Sequence, residues 1–307
     1  MSDIITTTYE GPDLDGYSCS VAYAELLRAL GKDAKAHIWG EPQLEVQWIL
    51  KKFDLEQAQG PIENYEGLVV ILDMSDPDGL PGNIKAEQVI EIIDHRKITF
   101  EDRFPNATSQ IEQVGAAATL VAERFRSANI QPSKESGLLL YGGILSNTQN
   151  LSSTATERDR QMAEWLKELS GASDNLAQEM FAAKSDLAGD ELQKTLLGDS
   201  KVIPVQNKMI GTMQLEIIGA KELVKNRLQE IQQVLENFGQ ENDCDYAFVN
   251  IKDLENDSGI IITFDQETLK LMQDVPGIEW HGNLGFSSQL TLRKQITAWI
   301  DERLANS

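Results

Sequence analysis

Apolar residues in the first part of the chain alternate between short continuous runs and longer segments in which they recur at helical spacing. The runs predict strands over residues 4–9, 35–39, 68–72 and 89–93. The spaced segments predict helices over residues 18–30, 44–53, 115–126, 136–145, 156–169 and 176–183. Strands that alternate with helices and carry no polar face are typical of a parallel sheet that is covered on both sides.

The pattern changes after a small, polar stretch at residues 185–190. Later apolar runs pair into hairpins around helical segments, and they predict strands over residues 201–205, 209–218, 246–251 and 259–264. Helical spacing marks residues 220–238, 267–272 and 291–304. We therefore predict an α/β protein of two domains: residues 1–186 with a mainly parallel sheet flanked by helices, a linker over 187–194, and a smaller mixed-sheet α/β domain over 195–307.

Composition narrows the range of partners. The length of 307 residues suits two domains, and the formal net charge of −22 argues against nucleic-acid and anionic-membrane partners, which require a basic surface. The two cysteines, Cys19 and Cys244, lie far apart and indicate no disulfide framework. The N-terminal residues show neither a basic leader nor a long apolar run, so we expect a cytoplasmic protein.

Acidic residues follow three of the predicted strands. Asp13 and Asp15 come after the first strand, Asp73 comes after the third, and residues 94–96, Asp-His-Arg, come after the fourth. Because the carboxyl ends of parallel strands share one edge of the sheet, these side chains are expected to converge. Carboxylates that crowd together repel one another unless a cation lies between them, so the pattern indicates a metal site. Taken singly, each aspartate would instead suit a loop or helix cap.

Several short motifs follow one another in a fixed order along nearly the whole chain. The first part holds Pro12-Asp13-Leu14-Asp15, Leu72-Asp73, Ile93-Asp94-His95-Arg96, Gly115-Ala116-Ala117-Ala118-Thr119 and Ile144-Leu145-Ser146-Asn147-Thr148. The second holds Asp199-Ser200-Lys201, Gln214, Leu254-Glu255-Asn256-Asp257-Ser258 and Thr291-Leu292-Arg293-Lys294-Gln295. The chain thus resembles the DHH phosphoesterase superfamily with a DHHA2 C-terminal domain. Within it, the resemblance is to manganese-dependent (family II) inorganic pyrophosphatases, exopolyphosphatases and prune-type proteins.

The resemblance implies a metal-dependent hydrolase. Its catalytic metal ligands would be Asp13, Asp15, Asp73 and His95, with Asn147 as a further ligand. Asp73 would bridge two ions, with Asp13 at the first ion and with Asp15 and His95 at the second. The implied cofactor is Mn²⁺, with Co²⁺ or Mg²⁺ as alternatives, present as one or two ions.

Four basic residues are the implied contacts for substrate. Arg96 comes from the first domain, whereas Lys201, Arg293 and Lys294 come from the second, so the substrate would lie in the cleft between the domains. Roles without substrate contact also stay open: an ion pair with neighbouring aspartates for Arg96, a solvated turn for Lys201, and surface charge for Arg293 and Lys294. The expected substrate is small and phosphorylated, such as pyrophosphate, polyphosphate or a nucleotide, and a homodimer also stays open.

Five positions depart from the family pattern. Tyr9 stands where the family has a metal-binding His, Asn147 where it has an Asp, Met74 and Arg96 where it has His, and Leu292 where pyrophosphatases have Arg. Prune-type proteins also carry Arg at the position of Arg96. These departures predict a degenerate site, in which the ion beside Tyr9 binds weakly and the other binds better.

Three functions stay open at this point. The leading hypothesis is a pyrophosphatase- or exopolyphosphatase-like phosphoanhydride hydrolase with low activity on pyrophosphate. The second is a catalytically impaired relative that binds a metal or a phosphorylated ligand without efficient turnover. The third, the oligoribonuclease branch, is disfavoured by the acidity of the chain, and residues 281–285, His-Gly-Asn-Leu-Gly, do not reproduce the Gly-Gly-Gly-His-type motif of that branch.

Overall fold

A computed structural model describes residues 3–96, 99–152, 154–256, 258–263, 265–289 and 293–305. The chain divides into two compact units, the first ending at Ala183 and the second beginning at Lys184. Within the described residues, each unit holds one sheet, of five strands in the first and six in the second. The predicted α/β fold class is confirmed, and the sequence-based domain bounds, with a linker over 187–194, stay a prediction.

The sheet of the first unit is entirely parallel. Its strands are β1 (Ile4–Thr7), β2 (Ala34–Ala36), β3 (Leu68–Leu72), β4 (Val89–Asp94) and β5 (Thr108–Ile111). They run in the order β2-β1-β3-β4-β5, and every pairing is parallel. The chain therefore leaves β1 in one direction along the sheet and returns on its other side at β3, and ligands of open α/β sheets bind at such a switch point.

Helices cover this sheet. They are α1 (Leu14–Ala29), α2 (Leu44–Lys52), α3 (Ala117–Ser127), α4 (Lys134–Asn147), α5 (Glu157–Ser170) and α6 (Leu176–Lys184). The sequence predicted all six. Asp13 caps the N-terminus of α1, and Thr156 forms a capping box with Asp159 at the start of α5.

Helices α1 and α4 pack closely because Gly142 and Gly143 face α1. A Cβ atom at Gly142 would lie 2.8 Å from a methyl group of Leu14, and one at Gly143 would lie 3.2 Å from the Cα atom of Asp15. The two glycines therefore let the start of α1, with Asp15, approach the C-terminal half of α4, with Asn147.

The second unit has a mixed sheet, as predicted. Its strands are β6 (Ser200–Val205), β7 (Lys208–Ile217), β8 (Tyr246–Asp253), β9 (Ser258–Thr263), β10 (Ile278–His281) and β11 (Leu284–Ser287). The order is β10-β11-β9-β8-β7-β6, and only the β7–β8 pairing is parallel among the described strands. Its helices are α7 (Glu191–Gly198), α8 (Ala220–Glu241), α9 (Gln266–Met272) and α10 (Arg293–Ala305).

Four elements were not predicted from the sequence: β5, α7, β10 and β11. β5 is a half-exposed edge strand of sequence Thr-Ser-Gln-Ile, which has no apolar run. The strand predicted over residues 35–39 is wrong in extent, because regular pairing covers only Ala34–Ala36 and then a single bridge joins His37 to Gln59. Phe264 and Thr291, at the ends of a predicted strand and helix, lie outside the described residues. Among the helices that are described, none is long and apolar enough to cross a membrane.

An ion pair between the buried Lys252 and the partly buried Glu216 joins β7 to β8. Glu216 and Lys252 are neighbours across the two strands, and Oε1 of Glu216 lies 2.5 Å from Nζ of Lys252, whose side chain is 7% exposed. Burial raises the pKa of Glu216, but the charges of Lys252 and Lys184 outweigh burial and lower the pKa below its usual value.

We expect Glu216→Gln to lower the free energy of unfolding by about 2 kcal/mol at neutral pH, because Lys252 would stay buried without a counter-charge. Because the folded pKa of Glu216 lies below the unfolded value of about 4.3, this stabilisation is present above that value and is lost as the pH falls through the folded pKa. Urea unfolding at pH 7 and below pH 4 would measure the change. Glu222→Gln, at an exposed residue of α8, is the control and should have little effect at either pH.

Candidate metal centre

Asp15, Asp73 and His95 converge at the carboxyl edge of the first sheet, as the positions of the strand ends predicted. Each offers one ligand atom, and these three atoms lie within 4.8 Å of one another. Nε2 of His95 lies 3.3 Å from Oδ1 of Asp73 and 3.8 Å from Oδ2 of Asp15. Asp15 comes after β1, Asp73 after β3 and His95 after β4, so the topology of the sheet brings them together.

Asp15 lies in the first turn of α1 and is fully buried. Its two carboxylate oxygens accept the backbone N–H groups of Ala117 and Ala118, at 2.8 and 2.7 Å, at the N-terminus of α3. These amides and the positive end of the helix dipole stabilise an anion. Burial raises the pKa of Asp15 and the charge of Asp73 raises it further, whereas His95 lowers it.

Asp73 has a backbone conformation that few residues other than glycine adopt. Its φ is +54°, and its N–H donates to the carbonyl oxygen of Ile93 at 2.8 Å. Aspartate and asparagine tolerate this left-handed region better than other residues do. The carboxylate is buried, and Oδ1 accepts no hydrogen bond of good geometry from the described residues. Strain at such a buried, polar strand end is common at functional sites.

The orientation of His95 is that of a metal ligand. Nδ1 lies 3.0 Å from the carbonyl oxygen of Val114, which can only accept, so Nδ1 carries the proton and Nε2 faces the two carboxylates. Oδ1 of Asp94 accepts the backbone N–H of His95 at 2.8 Å. Burial lowers the pKa of His95, but Asp73 and Asp15 more than offset burial and raise the pKa to about 10.

These residues fit a divalent cation. A cation with bonds of about 2.1 Å to ligands at right angles holds neighbouring ligand atoms about 3 Å apart. The distance between His95 and Asp73 is close to this value, and that between His95 and Asp15 is 0.5 Å longer (3.3 and 3.8 Å). Two carboxylate oxygens and one imidazole nitrogen are a donor set for Mn²⁺ or a similar ion. Such an ion would displace the proton from Nε2 and offset the repulsion between the carboxylates.

Asn147, at the end of α4, also lies at this group. Its Nδ2 donates to Oδ2 of Asp15 at 2.6 Å and lies 3.3 Å from Nε2 of His95. Three successive residues with positive φ, between 51° and 58°, follow soon after it at residues 149–151. In this arrangement Asn147 presents its amide nitrogen to the site, and its role as a metal ligand through oxygen stays a prediction.

Asp13, Tyr9 and Arg96 lie on the other side of Asp73. Asp13 is the N-cap of α1 and accepts the N–H of Gly16 at 3.0 Å, and it is not part of the three-residue group. Nη2 of Arg96 lies 3.8 Å from Oδ2 of Asp73, and its guanidinium carbon lies 5.5 Å from the centre of the Tyr9 ring. Both roles predicted for Arg96, a phosphate contact and an ion pair with neighbouring aspartates, therefore stay open. Its guanidinium is paired with Asp73, and its side chain is 43% exposed.

The basic residues predicted in the second unit have different environments. Lys201 is an exposed residue of β6, and Lys294 is an exposed residue in the first turn of α10. Arg293 is only 12% exposed, and its Nη2 lies 2.5 Å from Oδ1 of Asp199. Leu292 and Asp257 lie outside the described residues. Contact of these basic residues with substrate stays a prediction.

The sequence did not indicate one supporting residue, Asp159. It is fully buried at the start of α5 and accepts the N–H of Gly115 at 2.8 Å, the hydroxyl of Thr119 at 2.6 Å and the N–H of Thr156 at 2.6 Å. Asp159 therefore holds the turn from which α3 presents its first amides to Asp15. The capping pattern Thr-x-x-Asp at 156–159 was the available signal, but it indicates only a helix start.

We expect Asp159→Ala to weaken Mn²⁺ binding about tenfold and to lower the free energy of unfolding by about 2 kcal/mol, because several buried donors lose their acceptor. Isothermal titration with Mn²⁺ and urea unfolding would measure the two effects. Asp174→Asn, at an 89% exposed side chain paired with Lys167, is the control. Unchanged Mn²⁺ affinity in a folded Asp159→Ala variant would show that this residue does not position the site.

Comparison with known proteins identifies the family of both units. The model of the DHH family N-terminal domain matches residues 3–144, and the model of the DHHA2 domain matches residues 178–302. The chain is 27% identical over 266 residues to a protein from Bacillus cereus named "Probable manganese-dependent inorganic pyrophosphatase", with 84% of this chain and 85% of that protein covered. A protein of the same name from Bacillus mycoides matches with the same identity and coverage.

Two solved structures share the fold. One, from Methanococcus jannaschii, is described as a "putative family II inorganic pyrophosphatase"; it superposes with a TM-score of 0.79 at 21% identity, covering 98% of this chain and 99% of that chain. The other, an exopolyphosphatase-related protein from Bacteroides fragilis, superposes with a TM-score of 0.50 at 14% identity, covering 99% and 92%. With both family models matched in order along the chain, this protein belongs to the DHH superfamily and carries a DHHA2 domain.

Proposed function

We propose that this protein is a metal-dependent phosphoanhydride hydrolase of the inorganic pyrophosphatase or exopolyphosphatase type. The observation that carries the proposal is the convergence of Asp15, Asp73 and His95 at the switch point of a parallel sheet, with the imidazole oriented as a ligand. The names of the Bacillus relatives support Mn²⁺ as the ion and pyrophosphate as a substrate. Co²⁺ and Mg²⁺ are the alternative ions.

The residues of the site have separate roles in this proposal. Asp15, Asp73 and His95 hold the cation, while the α3 amides donate to both oxygens of Asp15 and keep its carboxylate in place. When bound, a divalent cation neutralises phosphoryl oxygens and promotes attack by water. Arg96, whose side chain is 43% exposed, binds a phosphoryl oxygen of the substrate. Asp13 completes the acidic edge.

The substrate is a small phosphorylated molecule: pyrophosphate, a longer polyphosphate or a nucleotide. Lys201 and Lys294 are exposed and suit contacts to phosphate. Arg293 would first have to leave Asp199, its partner in this structure. That residues of both units complete one site, and that the chain forms a homodimer, stay predictions from the family resemblance.

The test is phosphate release from pyrophosphate, tripolyphosphate, long-chain polyphosphate and nucleotides, each with Mn²⁺, Co²⁺ and Mg²⁺. We expect release that requires the metal and stops when EDTA is added. His95→Ala should abolish it, whereas His281→Ala, at a 65% exposed histidine of β10, should not. Absence of release from every substrate with every metal would contradict the proposal.

A second candidate is a protein that binds a metal or a phosphorylated ligand without efficient turnover. The observation in its favour is that Asn147 and Tyr9 are uncharged where the site would otherwise gain ligands. Burial, with the charges of Asp13 and Asp73, raises the pKa of Tyr9 well above its usual value, so its phenol stays neutral. Tight Mn²⁺ binding in a calorimeter, combined with no phosphate release, would favour this candidate.

A further inference from the structure

The two oxygens of Asp73 face two different basic side chains. Oδ1 lies 3.3 Å from Nε2 of His95, on the side of Asp15. Oδ2 lies 3.8 Å from Nη2 of Arg96, on the side of Tyr9. Asp73 therefore lies between an imidazole and a guanidinium, with one of them at each carboxylate oxygen.

Arg96 is held in this position from three directions. Its backbone N–H donates to Oδ1 of Asp94 at 3.3 Å, and its Nε lies 3.9 Å from the same oxygen. Its guanidinium carbon lies 5.5 Å from the centre of the Tyr9 ring, within the range of a cation–π contact. The hydroxyl of Tyr9 in turn accepts the N–H of Asp13 at 3.3 Å. The pair of Tyr9 and Arg96 thus connects Oδ2 of Asp73 to the loop of Asp13.

The position beside Oδ2 of Asp73 is unsuited to a metal ion. A neutral phenol brings no charge, and a guanidinium has no lone pair to donate. A divalent cation beside Oδ2 of Asp73 would also meet the like charge of Arg96 at short range. The position beside Oδ1 has the opposite character, because an imidazole nitrogen and two carboxylates surround it.

We propose that the Tyr9–Arg96 pair takes the place of a second metal ion, so that the chain binds one divalent cation, at Asp15, Asp73 and His95, and uses the Arg96 guanidinium as its other positive charge. That guanidinium, on a side chain that is 43% exposed, is then the inner contact for a phosphoryl oxygen. The inference rests on the proposed function, since it assumes that a cation binds beside His95.

The chain contains a matched control for Arg96. Arg103 is 44% exposed, lies near two aspartates, Asp76 and Asp78, and has its guanidinium carbon 5.9 Å from the centre of the Phe100 ring. It therefore reproduces the exposure, charge pairing and ring contact of Arg96, but it is not among the residues that surround Asp73.

The experiment counts Mn²⁺ per chain after equilibrium dialysis, by elemental analysis, and examines the bound ion by electron paramagnetic resonance. We expect one ion in the wild type, with the spectrum of an isolated Mn²⁺. The double variant Tyr9→His/Arg96→His should bind two ions, with the altered spectrum of a coupled pair. The matched double variant Phe100→His/Arg103→His should keep one.

Two ions in the wild type would overturn the inference even if no variant folded, and so would a single ion in a folded Tyr9→His/Arg96→His variant. No bound ion in the wild type would instead overturn the proposed function.

Inorganic phosphate provides a second measurement: in the Mn²⁺-loaded protein, Arg96→Gln should weaken its binding about tenfold, and Arg103→Gln should not change it. Equal phosphate affinity in the wild type and Arg96→Gln would contradict the role given to the guanidinium.

Discussion

Replacing Asp73 with asparagine is expected to weaken Mn²⁺ binding by at least about 100-fold and to reduce phosphate release by about 1000-fold. The amide keeps the size of the side chain but removes the negative charge that lies between His95 and Arg96. Asparagine also tolerates the φ of +54° at this position, so the backbone should not change. Isothermal titration with Mn²⁺ and a phosphate-release assay would measure the two losses.

The control for this substitution is Asp78→Asn, at a 75% exposed carboxylate paired with Arg103 in the same unit. It removes one negative charge from the surface and should leave both Mn²⁺ affinity and activity unchanged. If Asp73→Asn bound Mn²⁺ as tightly as the wild type, the cation would lie elsewhere, and Asp73 would serve only the structure of the strand end.

Sequence alone predicted the part of this site that follows from topology. Continuous apolar runs at 68–72 and 89–93 predicted buried parallel strands, and the structure places β3 and β4 there. Because side chains after such strands lie at one edge, Asp73 and His95 were expected to be close, and they are. This reasoning needs only strand order and direction, which hydrophobic patterns indicate well.

The supporting contacts could not be predicted in the same way. The carbonyl of Val114 fixes the tautomer of His95, and the buried Asp159 holds a turn that lies 44 residues earlier in the chain. Both contacts depend on how α3 and α5 pack, and no periodicity of the sequence encodes that packing. The contact of Arg96 with the ring of Tyr9 is of the same kind, because an aromatic residue after a strand indicates burial and not a partner.

Substituting Asn147 with aspartate is expected to tighten Mn²⁺ binding by about 100-fold, which corresponds to about 2.7 kcal/mol. The amide nitrogen of Asn147 now donates to Oδ2 of Asp15 at 2.6 Å and so occupies an oxygen that would bind the cation. A carboxylate at this place would add a charged ligand instead. Without metal, however, it would repel Asp15, so the metal-free variant should be less stable than the wild type.

Thermal unfolding with and without Mn²⁺ separates these two effects. Asn147→Asp should lower the melting temperature of the metal-free protein and enlarge the increase that saturating Mn²⁺ produces, since stabilisation by a ligand rises with the logarithm of its concentration divided by Kd. Gln161→Glu, on the exposed face of α5, adds the same charge away from the site and should change neither. A variant with lower metal-free stability and no gain in Mn²⁺ affinity would show that residue 147 lies outside the coordination sphere.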